Sequence, residues 1–178
     1  QALVSMGAYF TDTGRIDEGL PLLDRGLEVA LQHDLHDQAG NAFLNLAFYV
    51  YPRDLSKARG YASRLFELEK RENSLHGQAT SLAVLSECDW LAGSWALALE
   101  ETNRAFELQE RLGFTFRAFI AEAWRGLLHL GLGDLDQAEK YLQLALANQD
   151  PKISSIVETN LALGLLRLEQ GREEEAKT

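Results

Sequence analysis

The 178-residue chain carries 17 Lys and Arg against 27 Asp and Glu, which gives a net charge of −10. A chain this acidic repels phosphate backbones, and without a cluster of Lys or Arg it offers no patch for nucleic acid or for a membrane surface. Its single cysteine, Cys88, excludes an intramolecular disulfide and a cysteine-based zinc site. With 46% hydrophobic residues and no segment long enough to cross a bilayer, the sequence predicts a folded, cytoplasmic protein.

Turns that contain glycine recur along the chain at a regular interval. In the first turn Gly14 is followed by four residues and then by a small residue, Gly19. The second turn has Arg53 in the glycine position, and the later turns return to glycine. The small residues after the five turns lie 38 to 40 residues apart: Gly19, Ala58, Ala98, Ala138 and Ala176. A period near 40 predicts a repeat protein of five units.

Segments on both sides of each turn have the periodicity of a helix. Before the third turn, Leu82 and Leu85 lie on one face, three residues apart. After the fourth turn, Leu135, Ala138 and Leu142 form one apolar stripe, with charged residues between them. No alternating β-branched run or short hairpin turn indicates a strand. The chain is therefore predicted to be a string of antiparallel helix pairs.

Small residues also predict where the two helices of a unit touch. Helix axes approach to roughly 8–10 Å only where the contact carries small side chains. In four units two small residues lie 12 positions apart across the turn: Gly7 and Gly19, Ser86 and Ala98, Gly126 and Ala138, and Gly164 and Ala176. In the second unit the small residue is Ala47, one position late, so we expect a distorted turn at Pro52.

This register resembles the tetratricopeptide repeat (TPR). Unit four matches the motif of that repeat at Gly126, Gly133, Leu135, Ala138, Leu142 and Ala145. The period near 40 exceeds the ~34 residues of the standard repeat and is typical of the TPR-like regions of MalT-like members of the LuxR family and related signalling ATPases. Kinesin-light-chain-like repeats are also similar. HEAT and armadillo repeats share the period but lack the Gly-to-Ala register, so they are the second choice.

The resemblance implies an all-α fold, a right-handed α-solenoid whose first helices line a concave face and whose second helices cover a convex face. We expect a single domain over residues 1–178, its last unit truncated, with units near 1–34, 35–74, 75–113, 114–151 and 152–178. The final residues, EEEAKT, are interpreted as a helix that breaks off. We therefore expect the chain to be a fragment of a longer protein.

Motifs of common enzymes are absent from the sequence. It has no phosphate-binding G-x-x-x-x-G-K-[ST] loop and no G-x-S-x-G elbow, so we expect no catalytic residue and no cofactor. LHDQA, from Leu35, and LHGQA, from Leu75, place His36 and His76 at matching positions of adjacent units. A metal bridging two imidazoles would need a third ligand, so we predict no metal site and interpret the pentapeptide as a link between repeats.

The TPR register places a set of apolar and acidic residues on or near the concave face: Asp12, Phe43, Tyr51, Glu87, Trp90, Ile120, Leu127 and Leu130. Exposed apolar side chains on such a face predict a groove for a peptide, a helix or an apolar ligand. The alternative is a tight superhelix, or a groove that a neighbouring domain fills. TPR proteins that clamp an acidic C-terminus carry Lys, Asn and Arg at concave positions that here hold Ala, Glu and Leu. We therefore expect a basic or apolar partner.

These features predict a non-catalytic module that recognises a protein, a peptide or a small-molecule inducer. The resemblance alone places the module in the sensor or scaffold region of a larger bacterial signalling or transcriptional regulator. The alternative hypothesis is a structural module for self-association or intramolecular docking.

Overall fold

The structure is a computed structural model that describes residues 1–113, 118–147 and 156–177, with side chains described except at 118–121, 156–158 and 177. These ranges form α-helices and one short 3₁₀ helix, Glu175–Lys177, and contain no strand. The α-helices are α1 Ala2–Asp12, α2 Ile16–Gln32, α3 His36–Val50, α4 Leu55–Arg71, α5 Leu75–Leu91, α6 Trp95–Arg111, α7 Ala118–Gly131, α8 Leu135–Ala147 and α9 Ile156–Glu169. The all-α prediction is confirmed.

The helices pack in the order in which they follow one another along the chain. Four antiparallel pairs form, α1–α2, α3–α4, α5–α6 and α7–α8, and α9 packs against the last of them. Each second helix also contacts the first helix of the next pair, and first helices contact one another between α1 and α3, α3 and α5, and α7 and α9. The result is the predicted stack of repeats, in which each pair touches mainly its neighbours. None of the helices in the described ranges is both long and apolar enough to cross a membrane.

Most turns inside a pair are closed by a glycine in the left-handed conformation. Gly93 has φ of 79°, a backbone region that residues with a Cβ avoid. The Gly93 N–H donates to the carbonyl of Trp90 at 2.9 Å, and the next N–H, that of Ser94, donates to the carbonyl of Asp89 at 2.8 Å. These two bonds satisfy carbonyls at the end of α5 and reverse the chain.

The turn between α3 and α4 is built differently. No residue there has a positive φ, and the N–H groups of Arg53 and Asp54 both donate to the carbonyl of Val50 at 2.9 Å. The distortion predicted at Pro52 is therefore confirmed. Its consequence is a shift of one residue in α3 relative to the other first helices, which places Ala47 at the buried contact.

Close packing of small residues is confirmed most clearly in the first pair. A Cβ added to Gly19 would lie 2.7 Å from the carbonyl oxygen of Gly7, which is too close for any side chain. In the third pair the Ser86 hydroxyl donates to the carbonyl of Ala98 at 2.9 Å. The fourth pair is as tight, because a Cβ on Gly126 would meet the Leu142 side chain at 2.5 Å, just as one on Gly7 would meet Leu23 at 2.7 Å.

The predicted helix at the end of the chain is replaced by a turn. Residues 170–174 are non-helical, and only Glu175–Lys177 form a 3₁₀ helix. Arg172 holds this segment against the rest of the chain by pairing with Glu175 and with Glu139 of α8. The face of α9 that a second helix would cover is therefore only partly covered.

Buried side chains of the described residues form two apolar clusters. The larger cluster runs from α1 to α6 and includes Leu23, Leu46 and Leu82. The smaller cluster joins α7, α8 and α9 and includes Leu142 and Leu163. Among the described side chains, the two clusters lie on either side of the junction between α6 and α7.

Candidate binding surface

The first helices present a strip of exposed or partly exposed side chains. Equivalent positions of this strip align from pair to pair. The first row consists of Phe48, Glu87, Leu127 and Leu165, and the second row consists of Tyr51, Trp90, Leu130 and Leu168. Within each row the spacing is 38 to 40 residues, the repeat period. We call these eight residues the first-helix strip. Seven of its eight side chains are apolar or aromatic.

The end of the strip at α3 is aromatic and open to solvent. Phe48 is 50% exposed and packs edge-on against Tyr51, with ring centroids 5.9 Å apart. Tyr49 also packs edge-on against Phe48, with ring centroids 5.3 Å apart. An exposed aromatic pair of this kind offers a large contact area at a low cost in side-chain entropy.

Asp12 of α1, one of the predicted groove residues, is hydrogen-bonded to α3. The Tyr49 hydroxyl donates a hydrogen bond to the Asp12 carboxylate, and this bond raises the pKa of Tyr49. In the repeat register α1 contributes Ala8 and Thr11 to the two rows. Thr11 is buried, and its hydroxyl donates to the carbonyls of Gly7 and Ala8. The strip therefore begins at α3.

The middle of the strip combines a tryptophan pair with a carboxylate. Trp90 of α5 meets Trp124 of α7 edge-on, with ring centroids 5.0 Å apart. The indole N–H of Trp124 donates to the Ser86 hydroxyl at 2.9 Å, which fixes the ring between the two first helices. Glu87 lies one turn before Trp90 and is half-buried, and burial raises the pKa of its carboxyl.

Towards the end of the chain the strip becomes aliphatic. Leu127 and Leu130 of α7 are half-buried because they pack on the cluster that contains Leu163 of α9. The equivalent residues of α9 have no such cover, so Leu165 is 45% exposed and Leu168 is 52% exposed. The exposed apolar area of the strip is thus greatest at its two ends.

Two of the predicted groove residues, Phe43 and Ile120, are not part of the strip. Phe43 is only 2% exposed, because it packs against Tyr61 and Arg64 of α4. The prediction that it lines an open groove is therefore wrong, and the residue belongs to the core. Ile120 lies in α7, but its side chain is outside those that the structure describes.

Sequence reasoning missed three residues of the strip: Leu165 and Leu168 of the last unit, and Phe48. Counting back 12 positions from Ala58 reaches Leu46, which puts Ala47 rather than Phe48 at the groove position. The signal for the correct register was present, because the small residue of this unit is Ala47, one position later than in the other units. The altered turn at Pro52 accounts for that shift of one residue.

A cluster of three ionisable side chains lies away from the strip, where α4, α5 and α6 meet. The Arg59 guanidinium donates to both oxygens of Asp89, at 2.7 and 2.9 Å, and lies 3.7 Å from Glu101. Asp89 is 3% exposed and Glu101 is 6% exposed. Burial first, and then the neighbouring Asp89, raise the pKa of Glu101 to about 8, so this carboxyl holds its proton at neutral pH.

Cys88 lies beside this group and is buried at 2% exposure. Burial raises the pKa of its thiol to about 11, which keeps the sulfur protonated and unreactive at neutral pH. It packs as a small apolar residue. No group of three or more metal-ligating side chains occurs among the described residues.

The stack of helix pairs defines a TPR-like repeat fold. The chain superimposes on a candidate kinesin light chain from Podosopora anserina with nearly identical TPR-like repeats, with a TM-score of 0.78 and 13% identity over 99% of this chain and 89% of that chain. It also superimposes on BtubC (BKLC) from P. vanneervenii, with a TM-score of 0.80 and 18% identity over 98% of this chain and 74% of that chain. No family profile and no curated protein matches the sequence. At these identities the similarity shows the fold alone.

Proposed function

We propose that the chain is a non-catalytic recognition module that binds a protein or peptide along the first-helix strip. The observation that carries the proposal is the alignment of exposed and partly exposed apolar side chains at equivalent positions of successive first helices, from Phe48 to Leu168. A TPR-like stack presents such positions on one continuous surface. Partly exposed aromatic and leucine side chains on that surface are the anchors that an apolar or helical segment uses.

The chemistry of the strip defines the class of partner. With seven apolar or aromatic members and one acid, the strip contains no cation that could hold a phosphate or an acidic C-terminus. The net charge of −10 adds a long-range preference for basic segments. The partner we propose is therefore an apolar or basic peptide, or a protein segment of that composition.

The setting that we propose is the sensor or scaffold region of a larger bacterial signalling or transcriptional regulator. The period near 40 supports this setting, because it resembles the TPR-like regions of such regulators. A small-molecule inducer that binds the same strip would contact the half-buried apolar residues at its centre.

Selection of peptides on the immobilised chain tests the proposed function. A displayed random-peptide library should yield apolar peptides, and calorimetry should then give their affinities. Phe48→Ala and Leu165→Ala should each weaken binding about tenfold, because a buried apolar anchor contributes a kcal/mol or more. Leu144→Ala is the matched control, since Leu144 is a similarly exposed leucine on a second helix. Failure to enrich any peptide, or equal loss in the control, would contradict the proposal.

Self-association is a second candidate, favoured by exposed apolar residues on α1. Met6 and Tyr9 of α1 are exposed, whereas their equivalents in α9, Leu163 and Leu166, are buried against the preceding pair. Stacking α1 of one copy on the α9 end of another would cover these residues and produce an open, head-to-tail assembly. Sedimentation velocity over a hundredfold concentration range tests this, and Tyr9→Glu should restore a monomer if self-association occurs.

A further inference from the structure

We propose that Glu87 is the subsite for one Lys or Arg side chain of the partner, set within the otherwise apolar first-helix strip. The inference rests on the proposed function, because it assigns the partner chemistry of the same surface. The site consists of the Glu87 carboxylate, the ring of Trp90 one turn along α5, and Phe48 and Leu127 at the equivalent positions of the neighbouring first helices.

Glu87 is an acid without a protein partner among the described residues. It is half-buried, yet its carboxylate forms no hydrogen bond or ion pair with any described side chain or backbone group. The other acid of α5, Asp89, is buried and is held by two nitrogens of the Arg59 guanidinium. The contrast lies within one helix, two residues apart: the fold supplies Asp89 with a cation, and it supplies Glu87 with none among the described residues.

Desolvating a carboxylate without a counter-charge costs free energy. Burial is the cause of the raised pKa of Glu87. A hydrophobic residue at this position would avoid the cost, and Leu127 and Leu165 occupy the equivalent positions of α7 and α9. A cation brought by a partner would recover the cost on binding, because the interface would exclude the remaining water.

The surroundings of Glu87 fit a long cationic side chain. The methylene groups of Lys or Arg pack on apolar surface while the charged end reaches an acid, and a tryptophan face attracts the same cation. Trp90 is held in place by Trp124, whose indole N–H is bonded to Ser86. Apolar neighbours on both sides, Phe48 and Leu127, would receive the flanking residues of the partner. The partner segment should therefore carry one cation between apolar residues.

A double-mutant cycle on a selected peptide tests this inference. Peptides selected on the wild-type chain should share one Lys or Arg position between apolar positions. Replacing that residue of a synthetic peptide by norleucine removes the charge and keeps the stem. We expect this change to weaken binding to the wild type about tenfold and to leave binding to Glu87→Gln unchanged, the signature of a direct charge pair. Glu107→Gln, the same change at an exposed residue of α6, should behave as the wild type.

Stability of the free chain gives an independent readout. If Glu87 serves a partner rather than the fold, Glu87→Gln should unfold at an equal or higher temperature than the wild type. A lower melting temperature would assign Glu87 a structural role and overturn the inference. Selected apolar peptides without a fixed cation, or an additive cycle, would overturn the subsite while leaving the proposed function intact. A library that yields no binder would overturn both.

Discussion

Two junctions between neighbouring helix pairs are held by different chemistry. At the junction of the second and third pairs, Arg59 and two buried carboxyl groups, Asp89 and Glu101, meet at the centre of the packing. At the junction of the third and fourth pairs, Trp124 bonds to Ser86 and packs on Trp90. The first junction depends on groups that titrate, whereas the second depends on groups that keep one protonation state. We therefore expect the stability of the first junction to depend on pH and that of the second junction not to.

The largest effect on the free energy of unfolding should come from the protonation of Glu101. Its pKa is about 8 in the folded chain and near 4.5 without the fold. Between those values only the folded state holds the proton, so the free energy of unfolding should fall as pH rises from about 4.5 to 8. The loss should be on the order of 5 kcal/mol over that range, at about 1.4 kcal/mol per pH unit. Urea denaturation of the wild type and Glu101→Gln at a series of pH values measures it. A stability difference between the two proteins that stays constant with pH would refute the assignment.

The next largest effect should follow removal of the cation from the same junction. Arg59→Ala would leave the buried Asp89 carboxylate without its partner. The free energy of unfolding should fall by about 2–3 kcal/mol, less than for a fully buried pair, because the Arg59 side chain is 40% exposed. Chemical denaturation at pH 7 provides the measurement. Arg25→Ala removes a solvent-exposed pair with Glu28 and should change stability little. Equal effects of the two substitutions would mean that the buried pair contributes nothing beyond a surface pair.

The smallest effect should arise at the aromatic junction. Trp124→Phe keeps most of the ring contact with Trp90 and removes the hydrogen bond to Ser86, which should cost about 1 kcal/mol. The Ser86 hydroxyl keeps its bonds to Ala98 and Thr102, so no buried group is left without a partner. The cost should be the same at pH 5 and pH 8. A pH-dependent cost would show that this junction is coupled to the titrating group.

Local signals account for what the sequence predicted well. Helices, turns and the period follow from apolar spacing and from glycine, and both depend on residues close together in the chain. The prediction failed where one turn changed the register, so that Phe43 was assigned to the groove and Phe48 was not. A shift of one residue rotates a helical position by about 100° and exchanges a buried side chain for an exposed one.

Contacts between residues far apart along the chain could not be predicted from the sequence. Arg59, Asp89 and Glu101 come from three helices and form no motif, so their proximity depends on how adjacent pairs stack. The Trp90–Trp124 pair likewise links two helices that are separated in the chain by α6. By contrast Glu87, Trp90, Leu127 and Leu130 were assigned to the concave face from the repeat register, and the structure places them in two aligned rows of partly exposed side chains. Their role in binding stays a proposal.

The turn between α3 and α4 has a consequence for how such proteins diversify. It replaces the usual glycine turn, and the helix before it presents Phe48 where the other register would present Ala47. An insertion or deletion in a solvent-facing turn can therefore replace an alanine by a phenylalanine on the first-helix strip while every codon of the helix stays the same. A change in turn length can thus alter the chemistry of the strip without any substitution in the helix that carries it.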